Sequence, residues 1–152
     1  MTDFEQIPDY GRYAATDEYR SGLLYPAVIR ELGEFCGKRI LDIGTGNSPF
    51  PSLMAKQGAF VVGYDKSPKQ IELARQHAKG LNIEYVVSTP QTFSDNRQFD
   101  YATSIMALPY AENVVELGAF FQSVDQHLLP GGKFVSVTLN PRFTSITVVI
   151  FV

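Results

Sequence analysis

Asp42, Gly44, Gly46 and Asp65 are the residues whose types and spacing point to chemistry in this chain. The two glycines fall in Asp42-Ile43-Gly44-Thr45-Gly46-Asn47-Ser48, between an apolar run and a proline-marked helix start. Glycines there let the backbone turn sharply and approach a ligand with no Cβ in the way. The helix that follows presents unpaired N–H groups to an anion. A carboxylate at Asp42 would repel a pyrophosphate, but it can organise the loop or hold an ammonium group, directly or through water. A dinucleotide fingerprint would need a third glycine where Pro49 stands. The loop therefore favours a nucleoside carrying an amino-acid moiety, although an ordinary Gly-rich strand-to-helix turn has the same pattern. Asp65 ends a second apolar run about 20 residues further on, where a carboxylate can accept both hydroxyls of a ribose. Its alternative role is to support the dipole of the helix starting at Ser67, a helix that Ser67 already caps.

The other reactive side chains carry less. His77 and His127 fall on predicted helices away from strand ends, and a catalytic base must reach the crevice, so both are read as solvated or structural. The single cysteine, Cys36, has no disulfide partner and no metal-type spacing around it; a buried or half-buried thiol at a helix end is expected. No metal site is expected, no Ser-His-Asp order emerges, and the general base is unknown, with Tyr110 a candidate. Net charge is −3, from 13 basic and 16 acidic residues with no basic block, which excludes the electrostatic footprint of a nucleic-acid binder. The acidic start lacks the apolar segment of a signal peptide, and no run reaches the roughly 20 residues of a membrane span. These features predict a soluble, cytoplasmic protein with no membrane partner.

The elements that must position these residues follow from local patterning. At 152 residues the chain fits one domain, divided as an N-terminal arm over 1–24, a cofactor-binding core over 25–141 and a hydrophobic tail over 142–152. A helix is predicted over 25–35, with Pro26 in its first turn, Gly37 as its stop, and Leu24, Ala27, Val28, Leu32 and Phe35 inward. Strands are predicted over 38–43, 60–64, 83–87, 99–107 and 133–139. Ser67, Pro68 and Gln70 form a capping box at the head of a helix whose inner stripe is Ile71, Ala74, Ala78 and Leu81. A longer helix over 113–129 turns Leu117, Phe120, Phe121, Val124 and Leu128 inward, and Pro130-Gly131-Gly132 leads into the fifth strand. Strands alternating with helices predict an α/β, doubly wound, mostly parallel Rossmann-like sheet of order 3-2-1-4-5. Its crevice lies at the carboxyl ends of strands one and four. The link at Asn140-Pro141-Arg142 is too short for a parallel crossover. The apolar tail is thus read as an antiparallel edge strand, as an abrupt, non-homologous end, or as a segment that pairs with a second copy to form a homodimer; unpaired, it would be prone to aggregate.

Four segments in order resemble the successive motifs of class I S-adenosylmethionine-dependent methyltransferases. They are Asp42-Ile43-Gly44-Thr45-Gly46, Gly63-Tyr64-Asp65-Lys66-Ser67, Phe99-Asp100-Tyr101-Ala102-Thr103-Ser104 and Leu129-Pro130-Gly131-Gly132-Lys133-Phe134. Tyr19-Arg20-Ser21-Gly22-Leu23-Leu24-Tyr25-Pro26 is similar to the leader of the small-molecule members. The resemblance implies that Asp42, Gly44 and Gly46 hold the methionine part of S-adenosyl-L-methionine, that Asp65 binds the ribose and that Lys66 lies beside the adenine. It places Met106 and Ala107 near the methyl group, and makes Tyr13, Tyr19 and Tyr110 candidates to line the substrate mouth. Three departures stand out. Ser48 replaces a frequent third glycine, and Thr89, followed by Pro90, stands where an acidic residue often binds the adenine amino group. The chain also lacks the helix and strand pair that follow strand five in the family, and so looks C-terminally shortened. The implied function is methyl transfer to a small-molecule acceptor. The alternative is a non-catalytic cofactor- or partner-binding remnant, for which affinity with little turnover is expected. A nicotinamide-dependent oxidoreductase is disfavoured by Pro49.

Overall fold

A computed structural model of the chain describes residues 20–139 and 146–151. A π-helical turn, Arg20–Leu24, runs into helix α1, Tyr25–Leu32. Pro26 sits in the first turn, where a missing N–H breaks no bond. Gly33 ends the helix at a φ of 89°, so the stop comes earlier than Gly37: the first glycine able to take a positive φ takes it. Then follow β1 (Arg39–Ile43), α2 (Phe50–Lys56), β2 (Phe60–Asp65), α3 (Pro68–His77), β3 (Ile83–Val87) and β4 (Phe99–Ile105). A 3-10 turn at Leu108–Tyr110 precedes α4 (Val114–His127), β5 (Leu128–Leu139) and β6 (Ile146–Phe151).

The strands lie in the order β3-β2-β1-β4-β5-β6. The first five pair in parallel, the 3-2-1-4-5 order of a doubly wound sheet. β6 runs antiparallel to β5, in register from Phe134 opposite Phe151 to Leu139 opposite Ile146. The expected turn at Asn140-Pro141-Arg142 lies outside the described residues. Pro130, Gly131 and Gly132 belong to a bulge inside β5, because pairing passes from Phe99 opposite Leu128 to Tyr101 opposite Lys133. A Cβ on Gly132 would come 2.9 Å from the Leu129 carbonyl oxygen and 3.0 Å from that of Asp100, so a side chain there would force the backbone of the bulge to shift.

Helices cover both faces of the sheet. On one face Val28 and Leu32 of α1, Phe35, and Phe50 and Met54 of α2 pack against Ile40, Val61, Val135 and Val137. Ile71, Ala74 and Ala78 pack on Tyr85 at the β3 edge. On the other face Phe93 and the α4 residues Phe120 and Val124 cover Leu41, Ile43, Val62, Tyr64, Ala102 and Phe134.

The buried stripe of α4 is Phe120, Ser123, Val124 and His127, whereas Leu117 is 36% exposed. Ser123 and His127 go inward because the core pairs their polar atoms. Ser123 Oγ lies 3.2 Å from Tyr64 Oη, His127 Nδ1 is 2.6 Å from the Ser123 carbonyl oxygen, and the Asp95 N–H donates to His127 Nε2 at 3.3 Å. These partners assign the neutral tautomer with its proton on Nδ1, and they make His127 structural. His77 is exposed. Cys36 is exposed too, contrary to expectation, because the neighbouring Phe35 takes the buried position before the turn at Gly37. No helix among the described residues is long and apolar enough to cross a membrane.

Candidate functional site

The chain leaves β1 through two left-handed glycines, Gly44 at a φ of 66° and Gly46 at 52°. A Cβ on Gly44 would overlap the Cβ of Ala107, so the loops after β1 and β4 touch only because position 44 is a glycine. Gly63 in β2 does the same beneath Thr45, whose hydroxyl would stand 2.9 Å from a Cβ there.

Asp65, at the end of β2, holds this loop in place. Its Oδ2 accepts the Gly46 N–H at 2.9 Å and its Oδ1 accepts the Ser67 N–H at 2.9 Å. Burial pushes the carboxyl up from its ordinary range, while the Ser67 and Gly46 N–H groups pull it back. Ser67 caps α3 by accepting the Gln70 N–H at 3.4 Å. The return arm of a capping box is not made, because the Ser67 N–H is already given to Asp65.

Asp42 stands behind the loop and is 4% exposed. The Thr103 hydroxyl on β4 donates to its Oδ1 at 2.6 Å, which ties β4 to the start of the loop. Burial raises its pKa to about 6, against the pull of the Thr103 and Thr45 hydroxyls and with a further push from the nearby Asp65. Of the two roles open to Asp42, the geometry carries the organising one.

A cleft of about 630 Å³ opens at the carboxyl ends of the strands, within the size range of small-molecule sites. It brings together Gly44, Gly46, Asp65, Lys66, Thr89, Met106 and Tyr110. Asp42 does not line it, and Tyr13 and Tyr19 lie outside the described residues. Thr89 follows β3, and its Oγ1 is 2.9 Å from Thr92 Oγ1. Met106 takes a φ of 62° immediately after β4, a strained position for a side-chain residue, pinned by its N–H bond of 2.8 Å to the Val137 carbonyl. Such strain costs about 1–3 kcal/mol and persists where the surroundings over-determine it. Tyr110 sits in the 3-10 turn at the cleft's edge.

Arg20, Tyr25 and Gln70 are among the further residues that line the cleft. Tyr25 is placed by its ring contact with Phe50, 5.0 Å between centroids, and its hydroxyl lies 3.3 Å from Ser48 Oγ. Gln70 is 3% exposed, and neither end of its carboxamide has a hydrogen-bond partner among the described residues. In the sequence its position signals only a cap. Tyr25 sits where the resemblance places a leader, but nothing local aims its ring at the cleft.

The arrangement has two glycines that let a ligand lie against backbone, a carboxylate, a lysine, and a buried amide with open donors and an open acceptor. These groups fit a polar nucleoside with hydroxyls. Among the described residues no cluster of acidic, histidine or cysteine side chains could hold a metal ion.

Residues 40–132 match the family described as "Methyltransferase domain". The chain is 34% identical over 108 residues to a ubiquinone biosynthesis O-methyltransferase of Paramagnetospirillum magneticum, a match covering 70% of this chain and 42% of that protein. It thus spans less than half the length of that relative. An S-adenosylmethionine-dependent methyltransferase from Mesorhizobium loti superposes with a TM-score of 0.69 at 31% identity, covering 83% of this chain and 62% of that one. The N-methyltransferase NodS of Bradyrhizobium japonicum, in complex with S-adenosyl-L-homocysteine, shares the fold with a TM-score of 0.80 at 19% identity, over 91% of this chain and 72% of that one.

Proposed function

This chain belongs to the class I S-adenosylmethionine-dependent methyltransferase family, and on that premise we propose that it binds S-adenosyl-L-methionine in the cleft and transfers its methyl group to a small-molecule acceptor. The observation that carries this reading is the Gly44–Gly46 loop, clamped by Asp65 through the Gly46 N–H over a cleft of about 630 Å³. Gly44 and Gly46 would let the methionine part lie against the backbone. The remaining lone pairs of Asp65 would accept ribose hydroxyls, Lys66 and Thr89 would flank the adenine, and Met106 would border the methyl group. When bound, the cofactor supplies an electrophilic methyl on a sulfonium sulfur. The protein's own contribution is then chiefly position: holding acceptor and methyl in line lowers the entropy cost of meeting. Tyr110, at the cleft's edge, would line the acceptor's side.

The nature of the relatives supports oxygen as the methylated atom, with a small hydroxylated compound as the acceptor. Incubating the chain with methyl-labelled S-adenosylmethionine and a panel of small phenols and amines tests this. Label passing to a phenol oxygen is expected. Calorimetry showing no binding of S-adenosylhomocysteine would remove the proposal altogether, whereas label passing only to amines would move the methylated atom to nitrogen. The outer edge of β6 has no strand beside it among the described residues. A homodimer through that edge is part of the same proposal, and the mass measured by light scattering checks it.

A further inference from the structure

We propose that the Gln70 carboxamide binds the ribose hydroxyls of the nucleoside jointly with Asp65. The inference rests on the cofactor reading above and goes beyond it by adding a residue whose sequence position marks only a helix cap.

Four observations carry it. Gln70 lines the cleft although it is 3% exposed, so the small part of it that meets the cleft belongs to an otherwise enclosed side chain. Both Nε2 and Oε1 lack a hydrogen-bond partner among the described residues. A buried amide with neither end bonded is unfavourable, so a ligand or an ordered water should complete it. The amide lies next to the clamped loop, since a Cβ on Gly46 would stand 3.8 Å from Gln70 Oε1. Finally, each oxygen of Asp65 already accepts a backbone N–H, from Gly46 and from Ser67, which leaves that carboxylate fewer lone pairs for two hydroxyls. A sugar hydroxyl both donates and accepts. It can donate to Asp65 and accept from Gln70 Nε2, so the pair of side chains satisfies what neither does alone. Asn47 is also buried with an unpartnered amide, but it is not among the residues that line the cleft.

The test is a cycle of two variants and two ligands. S-adenosylhomocysteine and its 2′,3′-dideoxy analogue are titrated calorimetrically into the wild-type chain, Gln70→Leu and the near-isosteric Gln70→Met. Removing Gln70 is expected to weaken S-adenosylhomocysteine binding by about fivefold or more, the scale of one hydrogen bond. The penalty for losing the hydroxyls should shrink by about threefold or more in the variants, because paired groups are non-additive. The ligand-free melting temperature should stay level or rise, since two unpaired polar atoms are removed; a purely structural glutamine would make it fall. Unchanged affinity in a folded Gln70→Met overturns the proposal and leaves the amide to water. An equal dideoxy penalty in wild type and variants overturns the ribose assignment. Absence of S-adenosylhomocysteine binding to the wild type is a separate outcome, which defeats the cofactor reading itself.

Discussion

The carboxylate of Asp65 accepts the Gly46 N–H at 2.9 Å, joining the end of β2 to the loop that leaves β1. One side chain therefore both shapes the Gly-rich loop and faces the cleft it frames. Asp65→Ala removes the clamp together with the proposed ribose contact. Affinity for S-adenosylhomocysteine should fall at least about tenfold, as expected for the loss of a charge-assisted hydrogen bond. The melting temperature should fall too, because the Gly46 and Ser67 N–H groups lose their acceptor. Calorimetry and thermal melts on the same sample check both effects; an unchanged affinity would take Asp65 out of the binding site.

Gly44 meets Ala107 so closely that a Cβ cannot fit, and its φ of 66° disfavours any side chain. Gly44→Ala should destabilise the chain by about 1–3 kcal/mol through overpacking and backbone strain. The double variant Gly44→Ala with Ala107→Gly should recover the packing part and leave the backbone part. Urea unfolding of both variants measures the split. Equal stability of the single and double variants would mean that the two loops do not press on each other.

Asp42 gives a signed pH dependence. Its pKa rises on folding from 3.8 to about 6, chiefly through burial. Between those values the folded chain keeps a proton that the unfolded chain has released. Stability therefore falls as the pH climbs through this window, and the contribution levels off above about 6. The total is on the order of 3 kcal/mol. Asp42→Asn cannot titrate but can still accept from Thr103, so its stability relative to wild type should be higher at pH 7 than at pH 4. Unfolding curves at the two pH values decide it, and a constant difference would show that Asp42 does not titrate in that range.

Thr89 lines the cleft after β3, with its hydroxyl 2.9 Å from that of Thr92. A carboxylate there would accept the adenine amino group more strongly than a hydroxyl does. Thr89→Asp is expected to tighten S-adenosylhomocysteine binding by several-fold, about the 1 kcal/mol scale of one improved hydrogen bond. A titration showing equal or weaker binding by a folded variant would place the adenine edge elsewhere.

Much of the fold is legible in the sequence because it depends on a few adjacent residues. Ser67 before Pro68 starts α3, and Asn113 caps α4 by accepting the Glu116 N–H at 2.9 Å. Alternating strands and helices, with right-handed crossovers, then leave one plausible strand order. Gly44, Gly46 and Asp65 stand out for the same local reason: the loop needs positive φ, and a strand ends where the carboxylate stands. The partners of the side chains were a different matter. Asp42 turns to Thr103, which comes from a strand far along the chain, and so stands behind the loop and not in the cleft. Asp65 gives the Ser67 N–H its acceptor, and that one bond frees Gln70 from the capping role its spacing implies. Leu117 stays exposed while Ser123 and His127 are buried, because Tyr64 in the core and the backbone N–H of Asp95 in the loop before β4 pair with them. Helix starts and turns follow from the energetics of neighbouring residues, and the sequence alone determined them. Which polar group faces a ligand is settled by competition among partners that only the tertiary structure brings within hydrogen-bonding distance.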